Sequence, residues 1–157
     1  MSVTVTRNWK GTPIHWLRWP MIASDWVKVA TPIAEEAVKI EAPVYHGHSI
    51  RTPGKLKQSI AAVPYVSQNS ATINIGTTVP YARFVIDGAA PHIIEPRKAN
   101  ILGWQDVDGF RFSTKVHHPG QRANRFPERG LRIVEPLLMD LFSEIVRKSF
   151  VITAEKG

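Results

Sequence analysis

Apolar residues recur at helical spacing in two stretches, one near each end of the chain. In the first, Trp26, Val29, Ala30, Ile33, Ala37 and Ile40 share one face of a helix that the pattern starts at Ser24. Ser24 can cap orphan amides of a first turn, and Asp25 suits the positive end of the helix dipole. Pro32 interrupts this pattern and predicts a kink, or a restart with Thr31 as a second cap, and Pro43 closes it. In the second stretch Leu131, Val134, Leu138, Leu141, Phe142 and Ile145 form the stripe, with Pro127 suited to the first turn and Pro136 predicting another kink or start.

Between these helices the period shortens to two. Residues 71–77 (ATINIGT) alternate Ile73 and Ile75 with Thr72 and Asn74, the signature of a half-buried strand. Residues 61–66 (AAVPYV) form its hairpin partner across Gln68, Asn69 and Ser70, and Pro64 places that partner at an edge or bulge. A second hairpin is read in residues 101–116, where DVDG supplies the turn and Phe110 and Phe112 alternate with Arg111 and Ser113. Between the hairpins, PYARFVIDG reads as one or two helical turns stopping at Gly88, with Tyr81, Phe84 and Val85 on one face, and HIIEP reads as extended. Pro43, Gly47, Pro53 and Gly54 mark a long loop, and residues 55–60 read as a short helix or a lead into the strand.

The fold class is therefore α+β: an antiparallel sheet of about four strands packed against two longer helices, with long loops and an N-terminal arm. The expected segments are a Trp-rich arm over 1–21, a single domain over 22–152 and a frayed tail over 153–157. The arm reads as irregular. Its three tryptophans, Trp9, Trp16 and Trp19, require burial, either on their own domain or on a neighbouring subunit.

Composition narrows the function. The 157 residues are 43% hydrophobic and 21% charged, which suits one globular domain. The absence of cysteine excludes disulfides, thiolate zinc sites and thiol catalysis. No apolar run approaches a membrane span, and no secretory leader pattern opens the chain. The net charge of +7 favours an anionic partner without dictating a fold.

Catalytic chemistry finds little support. His46 with His48, and His117 with His118, could furnish metal ligands, but adjacent histidines on a strand diverge and no carboxylate cluster accompanies either pair. No nucleophile elbow and no phosphate-cradling glycine motif is present. Asp106 and Asp108 lie in a solvated turn, a poor place for general acid–base work. No catalytic residue, metal or cofactor is expected. Arg122, Arg125, Arg129 and Arg132 crowd eleven residues, and Lys55, Lys57, Arg97 and Lys98 add further positive charge. These contact phosphates or form ion pairs between subunits; a small basic nucleic-acid-binding protein is the alternative reading.

Three motifs in order carry a resemblance: TPGKLKQSI (52–60), PYARFVIDGAAPHIIEPRKANILGW (80–104) and VHHPGQRANRFPERGL (116–131). Together they resemble a family of tailed-bacteriophage neck proteins, the minor tail, tail-completion or head–tail joining proteins. That pattern runs Thr-Gly-Arg-Leu-x-x-Ser-Ile, Pro-Tyr-Ala-x-x-Val-x-x-Gly, an Ile-x-Pro strand with basic residues, and His-Pro-Gly before a Phe and a final helix. Leu56, Ser59, Pro80, Tyr81, Ala82 and Gly88 fall on its structural positions. The chain departs from it at Pro53, which precedes Gly54, and at Asp87-Gly88-Ala89, where Glu-x-Gly-Thr is more usual; the Trp-rich arm lies outside it.

The resemblance implies structural work: a homo-oligomeric ring at the head–tail junction or the top of the tail, with DNA passing through its lumen. Its partners would be further copies of itself and other neck and tail proteins (connector or stopper, tail tube or terminator), with transient non-specific DNA contact and no membrane. It would act in the virion after assembly in the bacterial cytoplasm. Sixfold and twelvefold symmetry stay open. Within this picture the loop His117, His118, Pro119, Gly120, Arg122, Arg125 and Phe126 is expected to lock onto a neighbour, with Pro119-Gly120 fixing its turn and Phe126 anchoring it to the core. Gly120 and Phe126 are expected to matter more to ring formation than to folding. Lys55, Lys57, Arg97, Lys98 and Arg129 are expected at the lumen or in ion pairs.

Overall fold

The structure, a computed structural model, describes residues 2–8, 19–44, 53–97, 99–106 and 108–154. Trp9, Trp16, His46, His48 and Lys98 lie outside the described residues. Two long helices, α1 (Trp19–Glu41) and α4 (Phe126–Ala154), pack against each other. α1 lies on one face of a three-stranded antiparallel sheet of β1 (Ser2–Asn8), β2 (Ile60–Val66) and β3 (Ser70–Thr77), in the order β1-β3-β2. Ala71, Ile73 and Ile75 of β3 point inward and Asn74 outward, as the alternation requires.

Several elements depart from the sequence reading. The N-terminal arm is not irregular throughout: residues 2–8 form β1, paired along its whole length with β3. α1 begins at Trp19, not Ser24, because Trp19, Ile22 and Ala23 continue the buried stripe; Pro20 sits in the first turn, where its missing N–H costs nothing. Asp25 instead pairs with Lys28 at 3.3 Å. α1 also runs unbroken through Pro32, and α4 through Pro136. Both prolines face solvent, while Ala30, Ala34 and Val38 in α1 hold the helix to the core on either side. Thr31 does not cap a second helix; its buried Oγ1 finds no hydrogen-bond partner.

Trp26 braces the core. It is fully buried, its indole N–H donates to the Leu138 carbonyl of α4 at 3.1 Å, and Phe142 meets its ring edge-on at 6.0 Å. Trp19 packs on its own domain: it also meets Phe142 edge-on, and its indole donates to the Ser67 carbonyl at 3.0 Å. The helices approach so closely at Gly130 that a Cβ there would lie 2.7 Å from the Ala37 carbonyl oxygen.

Glu35 ties α1 to the sheet. Its carboxylate accepts hydrogen bonds from Lys39 Nζ and, at 2.8 Å, from the Ala62 amide of β2. The Lys39 hydrogen bond, aided by the Ala62 amide, holds the carboxyl below its ordinary value of 4.5 despite partial burial. Because the folded pKa is the depressed one, Glu35 contributes stability above pH 4.5 that is lost as pH falls through the folded value. Acid unfolding followed by circular dichroism is therefore expected to show a shallower loss below that pH in Glu35→Gln than in the wild type. Matching acid limbs would show that this carboxylate carries no such linkage.

Candidate functional site

α2 (Lys55–Gln58) and α3 (Ala82–Asp87) flank the β2–β3 hairpin. Leu56 of α2 is core, and the Ser59 hydroxyl closes the helix on the Leu56 carbonyl at 2.8 Å and bonds Thr77 Oγ1 at 2.6 Å. Lys55 is exposed and Lys57 half-buried. α3 buries Ala82 and Ile86, whereas Pro80, Tyr81 and Phe84 face solvent, with the Arg83 guanidinium 4.5 Å above the Phe84 ring. The Tyr81/Phe84 face read as apolar in the sequence is thus an outer surface.

After Gly88 the chain leaves the body. β4 (His92–Ile94) and β5 (Leu102–Asp106) run outward; β6 (Gly109–Ser113) and β7 (Val116–His118) return. β4 pairs with β7, and β5 with β6, both antiparallel. The two hairpins are nested along one path, so residues 89–121 form a single two-limbed arm. Between the Ile94–Val116 and Leu102–Ser113 pairs the outgoing limb advances eight residues and the returning limb three, a bulge that holds Arg97. No arm strand packs appreciably on the helices or the three-stranded sheet.

This arm answers what the His-His-Pro-Gly motif is for: it is the returning limb and its mount. Ala89 and Gln121 exchange backbone hydrogen bonds of 2.9 and 2.8 Å at the base. Gly88 (φ +80°) and Gly120 (φ +87°) flank that bridge in conformations that favour glycine. A Cβ on Gly88 would lie 2.6 Å from the Gln121 carbonyl oxygen, and one on Gly120 would lie 2.5 Å from that of Ala89. His118 stacks on His92 across the strands at 5.0 Å, and its Nδ1 accepts the Gly120 amide at 3.1 Å. His117 sits opposite Ile93 and is exposed, as is Pro119. An open pocket of about 410 Å³ lies here, lined by Pro91, His92, Ile93, His117, His118 and Pro119. Among the described residues no three His, Asp or Glu side chains converge on a metal-sized site.

The arm's tip carries uncovered aromatic surface. Phe110 and Phe112 stack at 6.5 Å on one face of the β5–β6 pair and are 72% and 65% exposed; Trp104, opposite Arg111, is exposed on the other face, and Ile101 before β5 and Ile93 in β4 are exposed as well. Arg111 fixes the tip, reaching Asp106 at 2.6 Å and Asp108 at 3.4 Å.

The arginine cluster behaves less uniformly than its sequence suggests. Arg129 pairs with Glu41 at 3.0 Å and donates to Asn124 Oδ1 at 2.8 Å, tying α4 to the end of α1. Arg125 lies 3.6 Å from Glu128, Lys115 lies 3.7 Å from Glu95, and Arg122 is exposed. Phe126 must be set apart from the rest of its loop. At 1% exposure it belongs to the core, so its loss acts on folding first, contrary to the expectation above. Sequence reasoning missed His92, the pairing of β4 with β7, and the exposed Ile93 and Ile101; the unequal limbs, eight residues against three, leave no symmetric spacing of HII and VHH about the DVDG turn to signal the pairing.

These features define a class: a small α+β domain that offers a projecting β-arm with exposed aromatic side chains at its tip. Residues 18–88, a little under half of the chain, match the family model HK97-gp10-like, described as "Bacteriophage HK97-gp10, putative tail-component". The match runs from the start of α1 to the glycine at which the arm departs, and the likeness to tailed-phage neck and tail proteins stands on it. No curated protein and no solved structure matches the chain.

Proposed function

We propose that this chain is a structural protein of the tailed-phage virion that assembles as a homo-oligomeric ring at the head–tail junction or the top of the tail, with DNA passing through the lumen. One observation carries the ring: an arm whose strands pack little against the helices and the three-stranded sheet among the described residues, and which exposes stacked Phe110 and Phe112 at its tip. Contiguous exposed apolar surface of this kind marks an interaction site. An arm reaching from one copy to a different surface on the next makes a heterologous contact, and such contacts form a ring when the rotation between copies closes. The family match supplies the setting. The partners are further copies of the chain and the neighbouring neck or tail proteins.

The ion pairs weigh against the nucleic-acid-binding alternative. Arg125 and Arg129, two of the four clustered arginines, already face carboxylates, which leaves fewer cations for phosphates. DNA contact then reduces to transient, non-specific passage beside residues such as Lys55, Lys57, Arg97 and Arg122. No described helix is long and apolar enough to cross a membrane, and no catalytic role is proposed.

Electron microscopy with rotational averaging tests this reading. Purified protein, or particles carrying a tagged copy, is expected to show one closed ring of this chain at the neck. Phage lacking the chain is expected to accumulate heads and tails that do not join, or tails that do not finish. A single copy per particle, or salt-sensitive DNA binding with no ring, would overturn it.

A further inference from the structure

The three-stranded sheet has two edges, and they are not equivalent. On the β2 edge the Ala62 amide points away from β3 and is capped by Glu35 at 2.8 Å. Two residues on, Pro64 has no N–H to offer. Two successive outward donors are thereby withdrawn, the usual protection of an edge against a further strand.

Among the described residues no main-chain donor of the β1 edge is withdrawn in this way. Since the Ala62 amide faces away from its partner Ile75, the Ile75 main-chain groups face β1. Val3 and Val5 then bond β3, and the alternate amides of Thr4 and Thr6 face outward. The strand is seven residues long without a proline, and among the described residues nothing pairs with its outer side. The other unpaired strand edges belong to the arm, whose β4–β7 and β5–β6 pairs are only two strands wide. Two-stranded ribbons are marginal alone and gain from a third strand.

Building on the ring reading, we propose that the open edge of β1 takes up the arm of a second copy as an added strand, so that main-chain hydrogen bonds join the copies head to tail. The capped β2 edge cannot receive it. Pairing β1 with β1 would instead give a two-fold dimer and leave the aromatic tip bare. Strand addition is an established way for sheets to bind extended segments.

The test uses the full chain. Thr6→Pro removes one outward donor without touching the ladder to β3, copying the device at Pro64. It is expected to keep the wild-type melting profile while sedimenting as a monomer at concentrations where the wild type forms rings. In wild-type rings the Thr4 and Thr6 amides are expected to exchange at least about tenfold slower than in diluted monomer, with Val3 and Val5 unchanged. The double variant F110S/F112S is expected to lose both ring and protection. A Thr6→Pro protein that assembles normally, or fast exchange at Thr4 and Thr6 inside intact rings, overturns the edge contact and leaves the ring standing. Rings of F110S/F112S with protected Thr4 and Thr6 overturn the arm as occupant. A wild type that never leaves the monomer, even in the particle, overturns the ring reading and this contact with it.

Discussion

Trp26→Ala is expected to remove about 3–5 kcal/mol of folding free energy, the range for deleting a large aromatic from a core. Against a typical total of about 5–15 kcal/mol, that leaves a substantial unfolded population. The size follows from the position. Trp26 is wholly buried, and its neighbours are the α4 backbone at Leu138 and the Phe142 ring, so the cavity left behind cannot collapse easily. Trp26→Phe keeps an aromatic body but loses the donor to the Leu138 carbonyl, and about 1–2 kcal/mol is expected. Urea titration measures both as lower midpoints at unchanged slope. A Trp26→Ala midpoint within about 1 kcal/mol of the wild type would show that this residue does not brace the two helices.

The same helices illustrate what periodicity reveals. The stripe of α4 was legible, with Leu138 buried and Leu131, Val134, Phe142 and Ile145 packed beside it; in α1 Trp26, Ala30 and Ala37 are buried as read, but Val29 and Ile40 are exposed and the buried line runs through Ala34 and Val38 instead. Proline was misleading there. Its penalty is local, and the packing of a long amphipathic face on both sides of Pro32 outweighs it. β2 and β3 were legible too, with Pro64 on the edge strand as its chemistry demands. β1 was overlooked although Val3 and Val5 alternate with Ser2, Thr4 and Thr6, since a short strand takes its meaning from its partner, here 62 to 74 residues further along the chain.

The arm was legible in pieces. The DVDG turn identifies β5 and β6 because a tight hairpin is encoded locally. The outer pairing of β4 with β7 is not, because a bulge on one limb breaks the count from the turn outward. The His-Pro-Gly motif was singled out as a device for holding something. It joins the two limbs of the arm at their base, where Gly120 lies against Ala89 and Ala90 and His118 stacks on His92. Phe126 was read as the anchor of that loop on the core, and it is buried there; what its burial overturns is the expectation that its loss would spare folding.

If the two base glycines set the arm, alanine at either should release it. Gly88 has φ +80° and ψ −178°, a region nearly closed to other residues, where occupancy costs about 1–3 kcal/mol before any clash. The overlaps come on top: 2.6 and 2.8 Å to Gln121 O and Ala123 N from position 88, and 2.5 and 2.9 Å to Ala89 O and Pro91 N from position 120. All four atoms are backbone, so neither limb yields without breaking the Ala89–Gln121 bridge. Gly88→Ala and Gly120→Ala are therefore expected to abolish ring formation while the β3 amides of Ile73 and Ile75 stay protected from exchange and those of residues 92–94 and 116–118 do not. Gly109→Ala separates strain from overlap, because Gly109 has φ +123° but no atom within 4 Å of its would-be Cβ. That variant strains the tip and leaves the mount untouched, so its rings are expected to form. Protected amides at residues 92–94 in Gly120→Ala would mean the arm is held by something other than this close approach. Rings lost equally in Gly109→Ala would move the decisive contact from the mount to the tip.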